Sequence, residues 1–335
     1  MRLIGLFAAF FLLFLVPAAR ASSVGFEELK IANGGAAPLT IGVWYPTDAK
    51  ASLQPFNLLT QTVAPGAPPA GERLPLIVFS HGTGGWYGGH VDTAVALARA
   101  GFVVAAVTHT GDNYQDHSQA GFIWQRSAQI HRLIDYMLAE WPSHARLDAG
   151  RVGMFGFSAG GFTTLVVAGG VPDLARVAPH CQAHPSYFDC GVVRQAGSQA
   201  LLALVAKLPP SVFVHDRRVR AAVVAAPALG FSFGREGLKG VTIPIQLWRA
   251  EDDHILPAPE YADAVHADLP TPPEFHLVRN ADHYDFLAPC TPAMAHAVSD
   301  PEICASRPGF DRAQFHERLD AEVVRFFQRT LPTAR

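Results

Sequence analysis

The sequence predicts a doubly wound α/β fold, in which helices cover both faces of a mostly parallel sheet. Two patterns lead to this prediction. Short, continuous apolar runs recur along the chain, as is typical of strands that are buried on both faces. Between these runs, apolar residues recur at helical spacing. The length of 335 residues is compatible with a single α/β domain.

The individual elements follow from these two patterns. The apolar runs predict strands over residues 74–79, 101–107, 151–157, 221–226, 243–248 and 275–278, and residues 39–45 alternate like an early antiparallel strand. Helical spacing predicts helices over residues 91–100, 124–138, 159–168, 259–267 and 312–329.

Two stretches interrupt the alternation of strands and helices. Residues 48–73 are rich in Pro, Gly and Ala and predict a surface loop. Residues 171–218 contain two cysteines and several prolines, and we expect them to form an inserted cap over the carboxyl edge of the sheet, because long ordered connections are often lids. The alternative is a plain surface insertion. Residues 22–335 are thus predicted to be one domain with a cap.

The first residues have the pattern of a secretory signal peptide. Arg2 is followed by an apolar run over residues 3–16, and Ala19-Arg20-Ala21 is a small-x-small cleavage site. The run is shorter than the roughly 20 residues that span a bilayer, and no later run is long enough. We therefore expect cleavage after Ala21 and a periplasmic or secreted protein with no membrane span in its mature chain.

The composition excludes several classes of function. With 26 Lys+Arg against 29 Asp+Glu, the net charge of -3 provides no basic field for nucleic acid. Charged residues are only 16% of the chain and hydrophobic residues 49%, which excludes a disordered or coiled-coil protein. The oligomeric state is left open.

Four cysteines suit a chain that meets an oxidising compartment. Of the three possible pairings, the spacing favours the two short loops, Cys181 with Cys190 and Cys290 with Cys304. Zinc bound by His180, His184 and the first cysteine pair is the alternative. Structural zinc sites have tighter Cys spacing than this, so disulfides are favoured and no metal is expected.

The segment Gly156-Phe157-Ser158-Ala159-Gly160 has the G-x-S-x-G pattern of a nucleophile elbow. A predicted strand precedes it and a predicted helix follows it, which is the context that this motif requires. Side chains at Gly156 and Gly160 would clash with neighbouring backbone in so sharp a turn. Ser158 is therefore the candidate nucleophile.

A serine nucleophile needs a base that a third group orients. In the α/β-hydrolase order the acid comes next and the histidine last. Glu251, Asp252 and Asp253 follow one predicted strand, and His283 follows the next. A short, rigid side chain suits the acid, so an aspartate is preferred to Glu251. The remaining histidines considered, His254, His276 and His296, are expected to be structural.

Two backbone N–H groups should stabilise the oxyanion of the tetrahedral intermediate. Ala159, directly after the nucleophile, should supply one of them, and Thr83 in the glycine-rich loop after an earlier strand should supply the other. A dinucleotide site is excluded, because Tyr87 stands where G-x-G-x-x-G needs its third glycine.

These motifs, taken in order, resemble those of the exported "predicted dienelactone hydrolase" proteins, α/β-hydrolases related to platelet-activating-factor acetylhydrolase. The matching segments are Phe79-Ser80-His81-Gly82, the elbow, the acidic turn that ends at Pro257, and the run from Asn280 to Cys290.

The resemblance implies a triad of Ser158, Asp253 and His283, with Thr83 and Ala159 as oxyanion donors. In that family the acid usually lies four residues before a proline, so Pro257 selects Asp253, with Asp252 as the alternative. Dienelactone hydrolases proper use a cysteine nucleophile, whereas this chain has Ser158.

The sequence therefore predicts an exported serine hydrolase that cleaves small-molecule carboxylic esters through an acyl-enzyme, without a metal or organic cofactor. Alternatives within this chemistry are a polyester hydrolase of the cutinase type and a lactone hydrolase. A catalytically silent binding protein on a hydrolase fold is the alternative from another class.

Overall fold

The computed structural model describes residues 23–205 and 207–332. The predicted signal peptide, residues 1–21, lies outside the described residues. None of the helices that the described residues form is long and apolar enough to cross a membrane.

The described residues form a sheet of ten strands in the order β10-β9-β8-β7-β5-β6-β2-β1-β4-β3. The strands are β1 (Ser23–Asn33), β2 (Ala36–Thr47), β3 (Ser52–Phe56), β4 (Leu59–Pro65), β5 (Leu74–Ser80), β6 (Val103–Thr108), β7 (Leu147–Phe157), β8 (Val219–Ala225), β9 (Ile245–Ala250) and β10 (Glu274–Val278). The run from β6 across β5 to β10 is parallel throughout, whereas β2 pairs antiparallel with both β1 and β6. The prediction of a mostly parallel sheet is confirmed.

Helices cover both faces of this sheet. They are α1 (Val91–Arg99), α2 (Gln125–Ala139), α3 (Ala159–Val167), α4 (Val177–Ala183), α5 (Phe188–Gln195), α6 (Ser198–Val205), α7 (Gly234–Leu238), α8 (Ala262–Asp268), α9 (Pro292–Ala297) and α10 (Arg312–Thr330). Buried side chains of α2, α3 and α8 share one apolar core with one sheet face, and those of α1 and α10 share a second core with the opposite face. The fold is therefore a three-layer α/β architecture.

The prediction of a surface loop over residues 48–73 is wrong, because this stretch contains β3 and β4. Leu59, Gln61 and Val63 are buried on one side of β4, and Thr60 and Thr62 are exposed on the other. Pro55 lies in β3, which is the last strand of the sheet. An edge strand tolerates a proline because one side of its backbone needs no ladder hydrogen bonds.

The predicted interruption of the alternation of strands and helices over residues 171–218 is present. This segment connects α3 to β8 and contains α4, α5 and α6 in place of another strand. Leu174, Val177 and Phe188 of this segment line a cavity together with Ser158, so the segment lies close to the carboxyl edge where the candidate site is found.

Candidate active site

Ser158 occupies a strained turn between β7 and α3. Its backbone has φ 56° and ψ −118°, in the positive-φ region that residues with a Cβ rarely adopt. Its N–H donates to the carbonyl of Ala225 on β8 at 2.9 Å, so the neighbouring strand fixes the turn. The side chain is only 6% exposed and stands at the helix N-terminus, where the helix dipole favours negative charge.

The two glycines of the motif are required by close approach of the backbone. A Cβ at Gly156 would collide with the carbonyl of Gly160, and a Cβ at Gly160 would collide with the carbonyl of Ser80 on β5. Both collisions are with backbone atoms, which cannot rotate away. The turn can form only with glycine at both positions, as the sequence predicts.

Asp253 and His283 follow the carboxyl ends of β9 and β10. His283 Nδ1 lies 2.8 Å from Asp253 Oδ2, and both side chains are at most 5% exposed. Asp253 Oδ1 accepts the N–H groups of Ile255 at 3.1 Å and Leu256 at 2.7 Å. The carboxylate is thus held on both oxygens, and it orients one nitrogen of the imidazole.

The other two acidic residues of this turn point elsewhere. Asp252 lies 3.4 Å from the guanidinium of Arg307, and Glu251 accepts the N–H of Asn280 at 3.1 Å. The geometry thus brings Asp253, rather than Asp252 or Glu251, against His283.

Three further histidines make structural contacts. His254 bonds Asp282 at 2.6 Å, His276 stacks on Trp248 at 4.0 Å between ring centroids, and His296 bonds the carbonyl of Pro292 at 2.6 Å. None of the three is among the residues that line the cavities beside Ser158.

The loop that contains Thr83 runs against the elbow. A Cβ at Gly82 would lie 3.2 Å from that of Ser158, so the two backbones are nearly in contact. In the described part of the chain, no acceptor takes the N–H of Thr83 or of Ala159. Both groups are therefore free to donate to a substrate oxygen beside Ser158.

A buried ion pair that the sequence did not indicate holds this loop. Arg126 donates to the carbonyls of His81 at 2.5 Å and Gly82 at 3.2 Å. It also pairs with Asp112, which accepts the N–H of Gly84 at 3.0 Å. The charge of Arg126 keeps the pKa of Asp112 below its ordinary value, although burial acts in the opposite direction.

His81 is a neutral member of the same loop. Its Nε2 accepts the N–H of His109 at 3.0 Å, so the proton must be on Nδ1, which donates to the Gly82 carbonyl at 2.6 Å. Burial, together with the charge of Arg126, lowers the pKa of His81 to about 3. His81 thus stays uncharged at neutral pH and acts as part of the scaffold.

Two cavities meet at Ser158. The larger, of about 230 Å³, is lined by His283, Trp86, Tyr114 and Leu287 among others. The smaller, of about 60 Å³, lies beneath α4, α5 and α6 and is lined mainly by apolar side chains, with Asp189 among the polar ones. Thr83 and Phe188 line both cavities, whereas His283 lines only the larger one.

The described residues contain two disulfides. They join Cys181 to Cys190 and Cys290 to Cys304, which confirms the pairing that the spacing favours. The first bridge links α4 to α5, and the second closes the segment that follows the His283 turn. Because both thiols of the first pair are in a disulfide, they cannot ligate zinc with His180 and His184.

Residues 44–211, half of the chain, match the family described as X-Pro dipeptidyl-peptidase (S15 family). The chain belongs to this S15 family. The matched range contains Thr83, Ser158 and Ala159, whereas Asp253 and His283 lie beyond it. The sequence motifs had indicated the dienelactone hydrolase group and not this family.

Solved structures are similar to this S15-family chain over nearly their full lengths. The ferulic acid esterase from Streptomyces cinnamoneus is 20% identical with a TM-score of 0.60, covering 96% of this chain and 93% of its own. The dienelactone hydrolase from Anabaena variabilis is 14% identical with a TM-score of 0.51, covering 92% and 99%. These likenesses show the α/β-hydrolase fold. A comparison with curated proteins gave no match.

Proposed function

We propose that this protein is an exported serine hydrolase that cleaves carboxylic esters, with Ser158 as nucleophile, His283 as base and Asp253 as the acid that orients it. The observation that carries the proposal is the 2.8 Å contact between His283 and Asp253 beside a strained serine, in a cavity that both Ser158 and His283 line. The two disulfides are compatible with export.

The hydrogen bond to Asp253 defines what His283 can do. An ionised carboxylate only accepts hydrogen bonds, so Nδ1 must carry the proton and Nε2 has a free lone pair. Nε2 would take the proton of Ser158 as the hydroxyl attacks the ester carbonyl, and would then give it to the departing alcohol. Water activated by the same nitrogen would release the acid from the acyl-enzyme.

The N–H groups of Thr83 and Ala159 would stabilise the oxyanion that forms in each step. Both are backbone donors without a protein acceptor in the described residues. Donors that the fold holds in place need no reorganisation when charge develops. Their stabilisation of the oxyanion is therefore a large contribution to the rate of acyl transfer.

The two cavities suggest which half of the ester lies where. The group that protonates the leaving alcohol must be next to it, and His283 lines only the larger cavity. The alcohol would therefore occupy the larger cavity and the acyl chain the smaller one. An engineered cavity of about 150 Å³ holds benzene, so the 230 Å³ cavity accommodates an aromatic alcohol. The 60 Å³ cavity suits a short acyl chain.

Replacement of the nucleophile tests the proposal. Ser158→Ala should abolish hydrolysis of p-nitrophenyl butyrate and covalent labelling by a fluorophosphonate probe, while the circular dichroism spectrum stays that of the wild type. Ser211→Ala, at an exposed serine, is the matched control and should keep both activities. Turnover by folded Ser158→Ala protein contradicts the assignment, and an unlabelled wild type would indicate a silent binding protein.

Peptidase activity is the second candidate, because the chain belongs to the S15 family. One carboxylate supports it: Asp189 lines the smaller cavity, and its Oδ2 has no hydrogen-bond partner in the described part of the chain. Oδ1 already accepts the Tyr261 hydroxyl at 3.1 Å and the N–H of Cys190 at 3.0 Å, and Oδ2 lies 3.6 Å from His180 Nε2, so it is Oδ2 that could accept the ammonium group of a peptide. Comparing kcat/KM for Ala-Pro-p-nitroanilide and p-nitrophenyl butyrate separates the two, and Asp189→Asn should impair only the peptide reaction.

A further inference from the structure

A second cluster of polar side chains lies between α1 and α10, away from the triad. Asp92 is on α1, and His316 and Asp320 are on α10, one turn apart and hence on the same helix face. One ligand atom from each of the three residues lies within 4.8 Å of the other two.

The orientation of His316 is fixed by its other nitrogen. Nε2 lies 2.9 Å from the backbone carbonyl of Asp285, and because a carbonyl only accepts hydrogen bonds, Nε2 must carry a proton. In the neutral ring, Nδ1 then carries no proton, and its lone pair is directed into the cluster. Metal-binding histidines usually have their second nitrogen bonded in this way.

The atoms that face one another in this cluster lack aligned hydrogen bonds. His316 is only 3% exposed, and its Nδ1 has no hydrogen-bond partner in the described residues. Asp92 Oδ2 lies 2.6 Å from Nδ1, but the two are not aligned as donor and acceptor. Both oxygens of Asp92 are shielded from solvent and likewise unpaired.

Asp92 has His316 within ion-pair distance, at 2.6 Å, and that ring is charged only when it is protonated. Within residues 23–205 and 207–332, no Arg or Lys forms an ion pair with Asp92 or Asp320. Thr93 donates to Asp320 Oδ1 at 2.6 Å, which satisfies one oxygen. The dipole of α1 favours a carboxylate at Asp92, but it does not account for Asp320 or for the lone pair of His316.

We infer that Asp92, His316 and Asp320 bind a divalent zinc ion. A cation placed among them would give Nδ1 and the carboxylate oxygens a common partner and would neutralise the two acidic charges. Imidazole nitrogen with carboxylate oxygen suits zinc, whereas magnesium and calcium prefer oxygen ligands alone. Three protein ligands leave a position for water. The inference is independent of the proposed hydrolase activity.

The zinc site would have a structural role for the triad. His316 is tied through Nε2 to the carbonyl of Asp285, and Asp285 belongs to the short turn that begins at His283. Bound zinc would hold the His316 ring in place and, through it, the back of this turn. The ion would take no part in the chemistry, because none of its three ligands lines either cavity at Ser158.

Metal binding by the purified protein tests the inference. The protein is stripped with a chelator, and zinc binding is measured by isothermal titration calorimetry and elemental analysis, with Tm recorded with and without zinc. The isosteric variants Asp320→Asn and Asp92→Asn remove one ligand charge each. His296→Ala, at an exposed histidine on α9, and His180→Ala, in the other histidine cluster, are the controls.

We expect about one zinc per wild-type chain, a higher Tm with zinc, and binding at least about tenfold weaker in both aspartate variants. Both histidine controls should bind as the wild type does. Absence of zinc binding overturns the site and leaves His316 as a protonated partner of Asp92. Zinc binding that survives both aspartate changes, or that is lost in His180→Ala, would place the zinc elsewhere. Either result also overturns the proposed site. Because the wild-type titration needs no variant, the inference is tested even if a variant does not fold.

Discussion

The guanidinium of Arg126 and the carboxylate of Asp112 pair at 2.7 Å with at most 4% of either side chain exposed. Together they hold the carbonyls of His81 and Gly82 and the N–H of Gly84, which are the backbone groups on either side of Thr83. Neither side chain lines the cavities at Ser158, so the pair acts by positioning the proposed oxyanion donor.

Arg126→Met should therefore lower kcat by about 10²-fold, the loss seen when an oxyanion donor is removed, with a smaller change in KM. It should also destabilise the protein by about 3–5 kcal/mol, because Asp112 is left buried without its partner. The double variant Arg126→Met/Asp112→Leu removes both charges and should recover stability in urea unfolding. Its kcat should stay low, and recovery of kcat along with stability would show that the pair serves stability alone.

Asp253→Asn should lower kcat by about 10⁴-fold, because an amide at this position favours the wrong tautomer of His283. Asp252→Asn is the matched control one residue away and should retain near wild-type kcat, since Asp252 contacts Arg307 instead. Steady-state kinetics on p-nitrophenyl butyrate measure both. If Asp252→Asn loses activity and Asp253→Asn retains it, the acid of the triad is Asp252 and not Asp253.

The acyl chain length that the enzyme prefers should depend on the smaller cavity. Among p-nitrophenyl esters, kcat/KM should be highest for acetate to butyrate and fall for longer chains. Leu202→Ala enlarges this cavity and should shift the optimum to longer chains. Leu204→Ala, on the same helix but 42% exposed, should leave it unchanged. An unshifted optimum in Leu202→Ala would argue against the assignment of the acyl group to this cavity.

Stability should depend on pH through His254. Burial lowers the pKa of His254, but the hydrogen bond to Asp282 and the charges of Asp282 and Glu302 outweigh this, and the pKa is raised. A raised folded-state pKa adds stability below the unfolded value of about 6.5, and this is lost as the pH rises through the folded value. With the side chain 44% exposed, the gain should be below about 1 kcal/mol.

Urea unfolding of the wild type and of His254→Gln at about pH 5.5 and pH 8.5 measures this contribution. The difference in unfolding free energy between the two proteins should be larger at the lower pH. A difference that is equal at both pH values, or larger at pH 8.5, would contradict the proposed role of the Asp282 contact.

Sequence reasoning succeeds here where the local pattern and the fold agree. Residues 151–157 of the strand before Ser158 and the whole helix after it are buried, so continuous apolar composition was sufficient to find them. The glycines of the elbow are dictated by contacts with backbone, which leave no other choice of residue. His283 and the acidic turn of residues 251–253 were found because each comes soon after a predicted strand, and the family resemblance selected Asp253 within that turn through Pro257.

Two parts of the structure were not predictable in this way. Strand β4 was missed because Gln61, a polar residue, lies on its buried side, where it accepts a hydrogen bond from the indole N–H of Trp44 at 2.7 Å. That long-range partner conceals the alternation that marks a half-buried strand. Arg126 resembled any charged residue of an amphipathic helix, and only the fold shows that Asp112 and two carbonyls surround it.

The separation of the two cavities at Ser158 has a kinetic consequence. On the proposed mechanism the alcohol departs from the larger cavity while the acyl chain stays attached beneath the helices. The vacated volume lies beside His283 and is lined by Trp86 and Tyr114, so another aromatic alcohol can enter it. Such an alcohol would compete with water for the acyl group. The enzyme would then work as an acyltransferase, in a proportion set by how well the incoming alcohol fits that cavity.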